Sequence, residues 1–368
     1  MFRDSELRDD PLQEVRDYGP RLHPIVSQTL KMAEIKPKTG VMATDRGILG
    51  LPMIRVRIPA TTANLGPAFD CMGLALDLWN EFELVLTGEA GDVTVETVGE
   101  GAAILPKDRR HLVAATMLDE VWPGMIPTDR GIRLTCRNAV PCASGLGSSS
   151  TAVLAGLIFA SALSARAVHG DDPARVLAAV NDPANRARVL RRAIQLEGHG
   201  DNVAPALLGG LIMVVPGEGE PVVRKVDFAP LRVAVCVPDY RFLTKDARAA
   251  LPGDFSKEDT IYNVGHALRV ADALRTGDLE LLSLAMGDRV HEPYRMPLIP
   301  GAVEARQAAL TAGARAACLS GAGPGMLALA SEGHNAIGQA MADAFAARGL
   351  RARWWALNAI EHGTEIEA

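Results

Sequence analysis

The sequence is poor in cysteine and aromatic residues, and it has no excess of positive charge. Its five cysteines are odd in number and far apart, and none forms a C-x-x-C pair, which argues against a disulfide framework or a structural zinc site. A net charge of −6 gives no electrostatic footprint for nucleic acid or an anionic membrane. We therefore expect a cytoplasmic protein with reduced thiols, and neither nucleic acid nor membrane among its partners.

The sequence also lacks a long uncharged apolar run. The first ten residues, MFRDSELRDD, are charged where an export signal needs an apolar stretch. The most apolar stretch, Thr151–Leu163, is too short to span a bilayer and is soon followed by Arg166, so we predict a buried helix. With 48% hydrophobic and 22% charged residues over 368 positions, the composition is that of a globular protein with room for two domains.

Residues 1–52 differ from the rest of the chain. They carry dense charges of both signs and several prolines without a sustained apolar period, so we expect a flexible or loosely docked extension. From Met53 onward, short strand-like runs intermix with helical stretches, which predicts an α+β fold. Because Gly, Glu and Pro cluster at Pro216–Pro230, we place an N-terminal lobe at 53–220 and a C-terminal lobe at 221–368.

The apolar patterns are specific enough to place individual elements. Alternating or continuous apolar runs predict strands at Ile54–Ile58, Asn80–Leu86, Ile132–Cys136, Leu211–Val215, Val233–Val237, Cys318–Ser320 and Met326–Ala330. Apolar spacing predicts helices at Thr151–Val168, Arg186–Leu196, Ile261–Thr276, Leu279–Met286, Val303–Ala312 and Asn335–Arg348.

The segment Pro141–Thr151 (PCASGLGSSST) combines three features of an anion-binding loop. A strand-like run precedes it, Gly145 and Gly147 lie inside it, and a strongly helical stretch follows. Glycines let backbone N–H groups surround an anion, and a helix N-terminus adds unpaired donors and the positive end of the helix dipole. We assign phosphate binding to Pro141, Cys142, Ala143, Ser144, Gly145, Leu146, Gly147, Ser148, Ser149, Ser150 and Thr151.

This loop does not have the pattern G-x-x-x-x-G-K-[ST] and contains no lysine, so it is not a Walker-type loop. The alternative interpretation is an ordinary helix that is capped after a tight turn. The serine triplet favours phosphate binding, because its hydroxyls can bond phosphate oxygens or ligate magnesium.

Within this loop, P-x-x-x-G-L-G-S-S resembles the phosphate loop of the kinase superfamily named for galactokinase, homoserine kinase, mevalonate kinase and phosphomevalonate kinase (GHMP kinases). Other segments resemble the homoserine kinase family in particular, in the same order, from about Met53 to the C-terminus. They are Val56–Leu76, Glu197–Gly210, Leu243–Pro252, His291–Gly301 and Ser320–Pro324. Five ordered segments are far more specific than any one of them.

The resemblance implies a two-lobed GHMP kinase fold, with a left-handed β-α-β unit in the N-terminal lobe and a ferredoxin-like C-terminal lobe. It implies transfer of the γ-phosphate of ATP, with Mg²⁺, to the hydroxyl of L-homoserine, which gives O-phospho-L-homoserine for threonine biosynthesis. The alternatives are a related kinase that acts on another small alcohol and a non-catalytic ligand-binding relative. A homodimer is left open.

Homoserine is a zwitterion with a hydroxyl, so its site needs an anion for the ammonium and a cation for the carboxylate. By resemblance, Asn64 and Asp70 contact the amino acid, with Asp70 near its ammonium or hydroxyl. Arg248 and Arg295 are the candidates for the carboxylate, which a guanidinium binds bidentately. Without the resemblance, Asn64 is read as a turn residue, Asp70 as a helix cap and each arginine as a solvated side chain.

Glu197 resembles the magnesium-ligating glutamate of the family. We expect it to pair with the hydroxyl of Ser148 or Ser149, because one carboxylate and one hydroxyl suffice for Mg²⁺, which usually keeps several waters. These three residues are the candidate metal ligands.

The run after Glu197, GHGDN, supplies further substrate contacts by resemblance, namely His199, Asp201 and Asn202. Asn202 stands where some relatives place an aspartate that could serve as base. An amide cannot usefully accept a proton, so we expect no dedicated base. A cluster of helix-capping side chains is the alternative interpretation.

Three positions depart from the family pattern. Ala68 stands where glycine is usual, which predicts backbone strain if its φ is positive. Ser150 and Thr151 replace a usual pair of alanines, and Gly325 replaces a common serine near the phosphates. None of these changes removes a charged group, so we expect activity to survive.

Overall fold

The computed structural model of the chain describes residues 54–87, 90–121, 124–126, 128–215, 217 and 220–367. The extension predicted at 1–52 lies outside the described residues. A sheet of seven strands and a sheet of four organise the described chain, and helices lie between and after the strands. This arrangement confirms the predicted α+β class.

The described strands are β1 (Ile54–Ala63), β2 (Met72–Leu86), β3 (Val93–Gly99), β4 (Ile132–Asn138), β5 (Leu211–Val215), β6 (Val222–Val226), β7 (Arg232–Pro238), β8 (Ala316–Leu319), β9 (Met326–Leu329), β10 (Ala352–Asn358) and β11 (Glu365–Glu367). The described helices are α1 (Leu112–Glu120), α2 (Ser148–His169), α3 (Pro173–Asn181), α4 (Pro183–Glu197), α5 (Val203–Leu208), α6 (Thr244–Ala249), α7 (Lys257–Thr276), α8 (Leu279–Ala285), α9 (Glu292–Arg295), α10 (Ala302–Thr311) and α11 (His334–Ala346), with a 3₁₀ turn at Met296–Leu298.

The larger sheet has the strand order β11-β1-β2-β4-β3, and it is extended by β5 on β2 and β6 on β5. Its β3–β4 pair is parallel and the other pairs are antiparallel. A parallel pair needs a crossover connection, and α1 supplies it. Both β6 and β11 follow residue 220 and yet belong to this sheet, while the lobe boundary at 220/221 stays a prediction.

The core of the larger sheet is built around α2. This helix is buried on nearly all sides from Ser150 to Leu163, and it packs in one apolar cluster with Phe82, Met117 and Leu134. Burying a side chain of this size contributes roughly 1.5–3 kcal/mol. The predicted buried helix is therefore confirmed.

The helix is four residues longer than the predicted Thr151–Val168 and extends well beyond the apolar stretch Thr151–Leu163. α2 has 22 residues with a mean hydropathy of 1.7 in its most apolar window, which by length and composition would be enough to cross a membrane. Two thirds of that window (67%) is buried inside the protein, however, as expected of a core helix. Polar residues at both ends extend the apolar stretch that the sequence shows.

The smaller sheet has the order β10-β7-β9-β8 and is antiparallel throughout. Successive residues of β7 face opposite sides. Val233 and Val235 join an apolar cluster with α7 and α8, whereas Ala234 and Cys236 join another with α10 and α11. Because both faces are covered, β7 reads as a continuous apolar run rather than an alternating one.

Candidate active site

One pocket of about 240 Å³ gathers the residues that the sequence singled out. The seven predicted substrate residues all line it, namely Asn64, Asp70, His199, Asp201, Asn202, Arg248 and Arg295. Glu197 and part of the predicted phosphate loop line it as well, namely Ala143, Ser144, Gly145, Gly147, Ser148, Ser149 and Ser150. The other four loop residues, Pro141, Cys142, Leu146 and Thr151, do not line the pocket, and of these Leu146 and Thr151 are fully buried.

Two positions in the loop require glycine. Gly145 and Gly147 have φ of +78° and +71°, in the left-handed region. A Cβ on Gly145 would lie 2.1 Å from the Ser320 carbonyl oxygen, and one on Gly147 would lie 2.1 Å from Thr61 Oγ1. The loop backbone is therefore packed directly against two other segments.

The N-terminus of α2 faces the pocket without a side-chain cap. Its N-cap is Gly147, and within the described chain no side chain accepts a hydrogen bond from its first-turn N–H groups. By contrast, Asp172, Asp182 and Ser256 each cap the helix that follows them. The alternative of an ordinary side-chain-capped helix is thus wrong for α2, and its N–H donors remain available for an anion.

Glu197, the last residue of α4, reaches the same helix start. Its Oε2 accepts hydrogen bonds from Ser149 Oγ at 3.1 Å and from Ser150 Oγ at 3.2 Å. Of the two serines expected to bond Glu197, Ser149 does so, and the second bond comes from Ser150 rather than Ser148. Burial raises the pKa of Glu197, against the opposing effects of His199 and the two serines. Ser150, a departure from the family pattern, thus contributes a hydroxyl beside the carboxylate.

The donor set at Glu197 suits magnesium bound together with a phosphate. No group of three or more His, Cys, Asp or Glu side chains in the described residues is placed to hold a metal ion. One carboxylate and two hydroxyls beside a phosphate loop match the preference of Mg²⁺ for oxygen ligands, with phosphate oxygens and waters completing its shell. The residues therefore fit a magnesium–nucleotide site.

The His199–Asp201 pair lies next to Glu197. His199 Nδ1 is 2.6 Å from Asp201 Oδ1, and both side chains are largely buried. Burial lowers the pKa of His199, but the hydrogen bond to Asp201 and its charge outweigh burial, so that the pKa of His199 is raised overall. Asn202 bridges this pair and β1, because its Nδ2 donates to Asp201 Oδ1 at 3.5 Å and its Oδ1 accepts a hydrogen bond from Thr61 Oγ1 at 2.8 Å.

The two predicted carboxylate-binding arginines have different environments. Arg248 forms a bidentate pair with Asp70, at 2.9 and 3.0 Å, and both side chains are about one third exposed. Arg295 is 1% exposed, and no described carboxylate lies within ion-pair distance of it. Burial and the nearby Arg248 lower the pKa of Arg295 to about 10. A buried cation without an anionic partner favours binding of an anion from outside.

The loop that carries Asp70 is held by Asn64. Asn64 Oδ1 accepts a hydrogen bond from the Asp70 backbone N–H at 2.9 Å, and its Nδ2 donates to the Gly321 carbonyl at 2.8 Å. Positive φ values occur at Asn64 and Asp70, +69° and +55°. Ala68 is not among the described residues with positive φ, so the strain expected there is absent.

Sequence reasoning did not assign the second glycine loop to the site. Gly321, Ala322 and Gly323, between β8 and β9, line the pocket directly beside the phosphate loop. Their SGAGP turn between two strand-like runs was the signal that could have found them. Leu243 and Thr244, which also line the pocket, open the family-like segment Leu243–Pro252, whereas Phe242, another lining residue, lies just outside it.

Packing explains why glycine stands at position 325, just after this loop. Its N–H donates to the Ser144 carbonyl at 3.1 Å, and a Cβ there would lie 2.4 Å from that same oxygen. A serine at this position would therefore push the two glycine loops apart.

The sequence profiles of two kinase domains match the chain. The profile described as "GHMP kinases N terminal domain" matches residues 110–210, and "GHMP kinases C terminal" matches residues 270–347. Together with the glycine loop, the uncapped helix start and the charged pocket, these matches define an ATP-dependent small-molecule kinase of the GHMP class.

More specific similarities cover most of the chain. A homoserine kinase of Prochlorococcus marinus is 40% identical over 304 residues, which are 82% of this chain and 91% of that protein. A homoserine kinase of Desulfitobacterium hafniense is 37% identical over 321 residues, 85% of this chain and 100% of that protein. The crystal structure of homoserine kinase from Cytophaga hutchinsonii is similar with a TM-score of 0.69 and 27% identity, covering 90% of this chain and 100% of that one. The chain belongs to the homoserine kinase family.

Proposed function

We propose that this protein transfers the γ-phosphoryl group of ATP to the hydroxyl of L-homoserine and so forms O-phospho-L-homoserine in threonine biosynthesis. The observation that carries the proposal is the buried, unpaired Arg295 in the same pocket as an uncapped helix start. The first suits a carboxylate, and the second suits a phosphate. A carboxylate separates homoserine from sugars such as galactose. Its ammonium, for which the pocket offers Asp70 and Asp201, separates it from mevalonate, which has a carboxylate but no ammonium.

At the phosphate end, the N–H groups at the start of α2 and the loop glycines bind the triphosphate. Glu197, Ser149 and Ser150 would hold Mg²⁺, which supplies positive charge that offsets charge on the transferring phosphoryl group. Since phosphoryl transfer has a loose transition state, these residues act by orientation and charge neutralisation rather than by covalent chemistry.

At the acceptor end, Arg295 binds the carboxylate of homoserine, and Asp201 with Asp70 faces its ammonium. The Asp70–Arg248 ion pair occupies part of the pocket, but it is partly exposed and costs little to open, about 0–1 kcal/mol. A zwitterion can replace it charge for charge, because its ammonium meets Asp70 while its carboxylate meets Arg248. The net charge of the pocket is then unchanged.

The acceptor hydroxyl needs no dedicated base in this arrangement. The amide of Asn202 is not a proton acceptor, and Nδ1 of His199 is already engaged by Asp201 at 2.6 Å. The hydroxyl proton passes to a phosphate oxygen as the new O–P bond forms and the bond from the γ-phosphorus to the β–γ bridging oxygen breaks, with ADP as the leaving group. Holding the hydroxyl in line with the γ-phosphorus can contribute roughly 7–11 kcal/mol through proximity.

We also place the enzyme in the cytoplasm, in keeping with cysteines that are all free thiols in the described chain. A homodimer is compatible with this proposal and is not required by the pocket.

A coupled assay of ADP release tests the function. With Mg-ATP, L-homoserine should give turnover well above the rates with mevalonate, galactose or no acceptor. Turnover with mevalonate or galactose instead would favour a related kinase for another alcohol. Absence of turnover with every acceptor, together with intact ATP binding, would favour a non-catalytic relative.

A further inference from the structure

His291 is buried behind the acceptor end of the pocket and has no role in the reaction described above. Its side chain is 0% exposed, and it immediately precedes α9, whose last residue is Arg295. Its ring contacts Arg295 on one side and the loop of Asn64 and Asp70 on the other. It thus joins two parts of the acceptor site that lie more than 200 positions apart, since His291 and Gly66 are separated by 225.

Asp288 fixes the backbone that carries this histidine. Its carboxylate accepts hydrogen bonds from the N–H groups of Val290 at 3.1 Å, His291 at 2.9 Å and Glu292 at 2.6 Å. It also accepts one from Asn263 Nδ2 at 2.7 Å. Charge-assisted bonds of this kind are about twice as strong as neutral ones, so the imidazole is in place before any substrate binds.

The imidazole makes a different hydrogen bond at each nitrogen. Nε2 lies 2.8 Å from the Gly66 carbonyl oxygen, which can only accept, so Nε2 carries the proton. Nδ1 is then an acceptor, and Arg295 Nη1 donates to it at 3.4 Å. Burial lowers the pKa of His291, although the charge of Asp288 opposes this effect. The lowered pKa favours the neutral ring that both hydrogen bonds require.

Arg295 has few other contacts that set its orientation. Its Nε donates to the Ala247 carbonyl at 3.1 Å, and its guanidinium lies over the Phe69 ring at 4.9 Å. Phe69 itself stacks on the His291 ring, with centroids 5.3 Å apart and planes 26° apart. Among the described residues, Nη2 has no hydrogen-bond partner, and it is left for a ligand. His291 therefore supports Arg295 both directly and through Phe69.

We propose that His291 is a positioning residue that aims Arg295 at the acceptor carboxylate and so sets the preference of the site for an α-amino acid over an amino alcohol. This rests on the proposed function, because it needs an acceptor with a carboxylate. His291 touches neither the acceptor nor the phosphates. It acts by fixing the orientation of the Arg295 guanidinium plane.

Two substitutions separate the two hydrogen bonds of the ring. His291→Gln places an amide nitrogen near the position of Nε2, which can still donate to Gly66, and leaves nothing at Nδ1. His291→Asn does the reverse, because its oxygen lies near the position of Nδ1 and does not reach Gly66. His334→Gln is the matched control, since His334 is also buried and bonded to backbone carbonyls, those of Arg232 and Ala330, but does not line the pocket.

The readout is selectivity. For each variant, kcat and KM are measured for three molecules: L-homoserine, ATP and 3-aminopropan-1-ol. The last of these is homoserine without its carboxylate. Where turnover of this amino alcohol is too slow, calorimetry gives its Kd. His291→Gln should raise the homoserine KM about 5- to 10-fold, because one hydrogen bond to a charged group is lost. The KM (or Kd) for the amino alcohol and the KM for ATP should stay within about twofold of the wild type. His291→Asn should keep the homoserine KM within about twofold and lower the thermal midpoint, and His334→Gln should keep the selectivity of the wild type.

Equal losses with both acceptors, or an unchanged homoserine KM in folded His291→Gln, would overturn the proposal. In an Arg295→Ala background, His291→Gln should have no further effect on the homoserine KM, and a fully additive effect would also overturn it. If His291→Gln fails to fold, the proposal is tested with His291→Asn alone, and a strongly raised homoserine KM in that variant would overturn it. Absence of homoserine turnover in the wild type would refute the proposed function instead, so the two failures are distinguishable.

Discussion

The two ends of the pocket present charge in different ways. At the phosphate end, the donors are backbone N–H groups at the start of α2 and serine hydroxyls beside Glu197. At the acceptor end, the charges of both signs belong to side chains, those of Asp70, Asp201, Arg248 and Arg295. The first end comes mainly from one continuous segment, whereas the second is assembled from four separate loops and helices.

This difference separates two tasks. A triphosphate is the same in every kinase of this class, so it can be bound by backbone N–H groups, which only a substitution by proline removes. The acceptor differs between kinases, and side chains can be exchanged one at a time. The phosphate end therefore determines whether transfer occurs, and the acceptor end determines which molecule receives the phosphate. Substitutions at the two ends should consequently affect different kinetic constants.

The largest effect is expected at Glu197. Glu197→Gln should lower kcat roughly 10²–10³-fold, because an amide cannot supply the negative charge that Mg²⁺ needs. The homoserine KM should change by less than about threefold, since the acceptor end is intact. Steady-state kinetics over a range of Mg²⁺ concentrations measure both constants. A rise in homoserine KM as large as the fall in kcat would contradict the separation of the two ends.

The next largest effect is expected at Arg295. Arg295→Ala should raise the homoserine KM roughly 100-fold and leave the ATP KM within about twofold, because a buried charged partner of the carboxylate is lost. Arg289→Ala is the control, as Arg289 is an exposed arginine that pairs with Asp259 and does not line the pocket. Equal losses for homoserine and ATP would point to a structural role for Arg295.

The third prediction concerns Glu292, a buried residue that supports the acceptor end of the pocket from behind. This carboxyl is buried, accepts a hydrogen bond from Leu319 N–H at 2.6 Å just before the second glycine loop, and lies 3.6 Å from Arg306. Burial raises its pKa from 4.5 to about 7. As pH rises, the unfolded state loses this proton first, so stability should fall between about pH 4.5 and 7 and then level off.

Glu292→Gln should remove that slope. The variant should gain stability relative to the wild type by on the order of 2–3 kcal/mol between pH 4.5 and 8, because its amide still accepts from Leu319 and never ionises. Urea denaturation over this pH series measures the difference. Parallel pH profiles for the two proteins would show that Glu292 does not titrate in this range.

The smallest effect is expected at Arg248. Arg248→Ala should raise the homoserine KM only about 5- to 10-fold, because Arg248 is partly exposed and is already neutralised by Asp70. Its effect should also weaken at high salt, whereas that of Arg295→Ala should not. An Arg248→Ala effect as large as that of Arg295→Ala would show that exposure does not distinguish the two arginines.

The phosphate end could largely be predicted from the sequence, because its parts are contiguous. Glycine spacing, a serine triplet and a following apolar helix are local signals. What the sequence could not reveal was which hydroxyl meets Glu197, since this depends on how α2 begins after Gly147. Ser150 rather than Ser148 lies beside the carboxylate for that reason.

The acceptor end could be predicted only through resemblance to a family. Asp70 and Arg248 are 178 positions apart, and no local pattern indicates that they form an ion pair. The same limit applies to the fold. Strands with a buried face, such as β1 and β7, have apolar patterns that could be recognised, whereas β6 and β10 are mostly exposed or half-buried and escaped prediction. Exposure removes the periodic signal on which such predictions depend.

The pairing of β11 with β1 has a consequence for biosynthesis of the protein. Arg57 and Glu365, which form an ion pair across these strands, are separated by 308 positions. At a synthesis rate of 5–20 residues per second, the outer edge of β1 therefore waits roughly 15–60 s for its partner. During that time an unpaired strand edge is open to the wrong partners, including other nascent chains. Cells that make this enzyme should depend on chaperones until the last strand has left the ribosome.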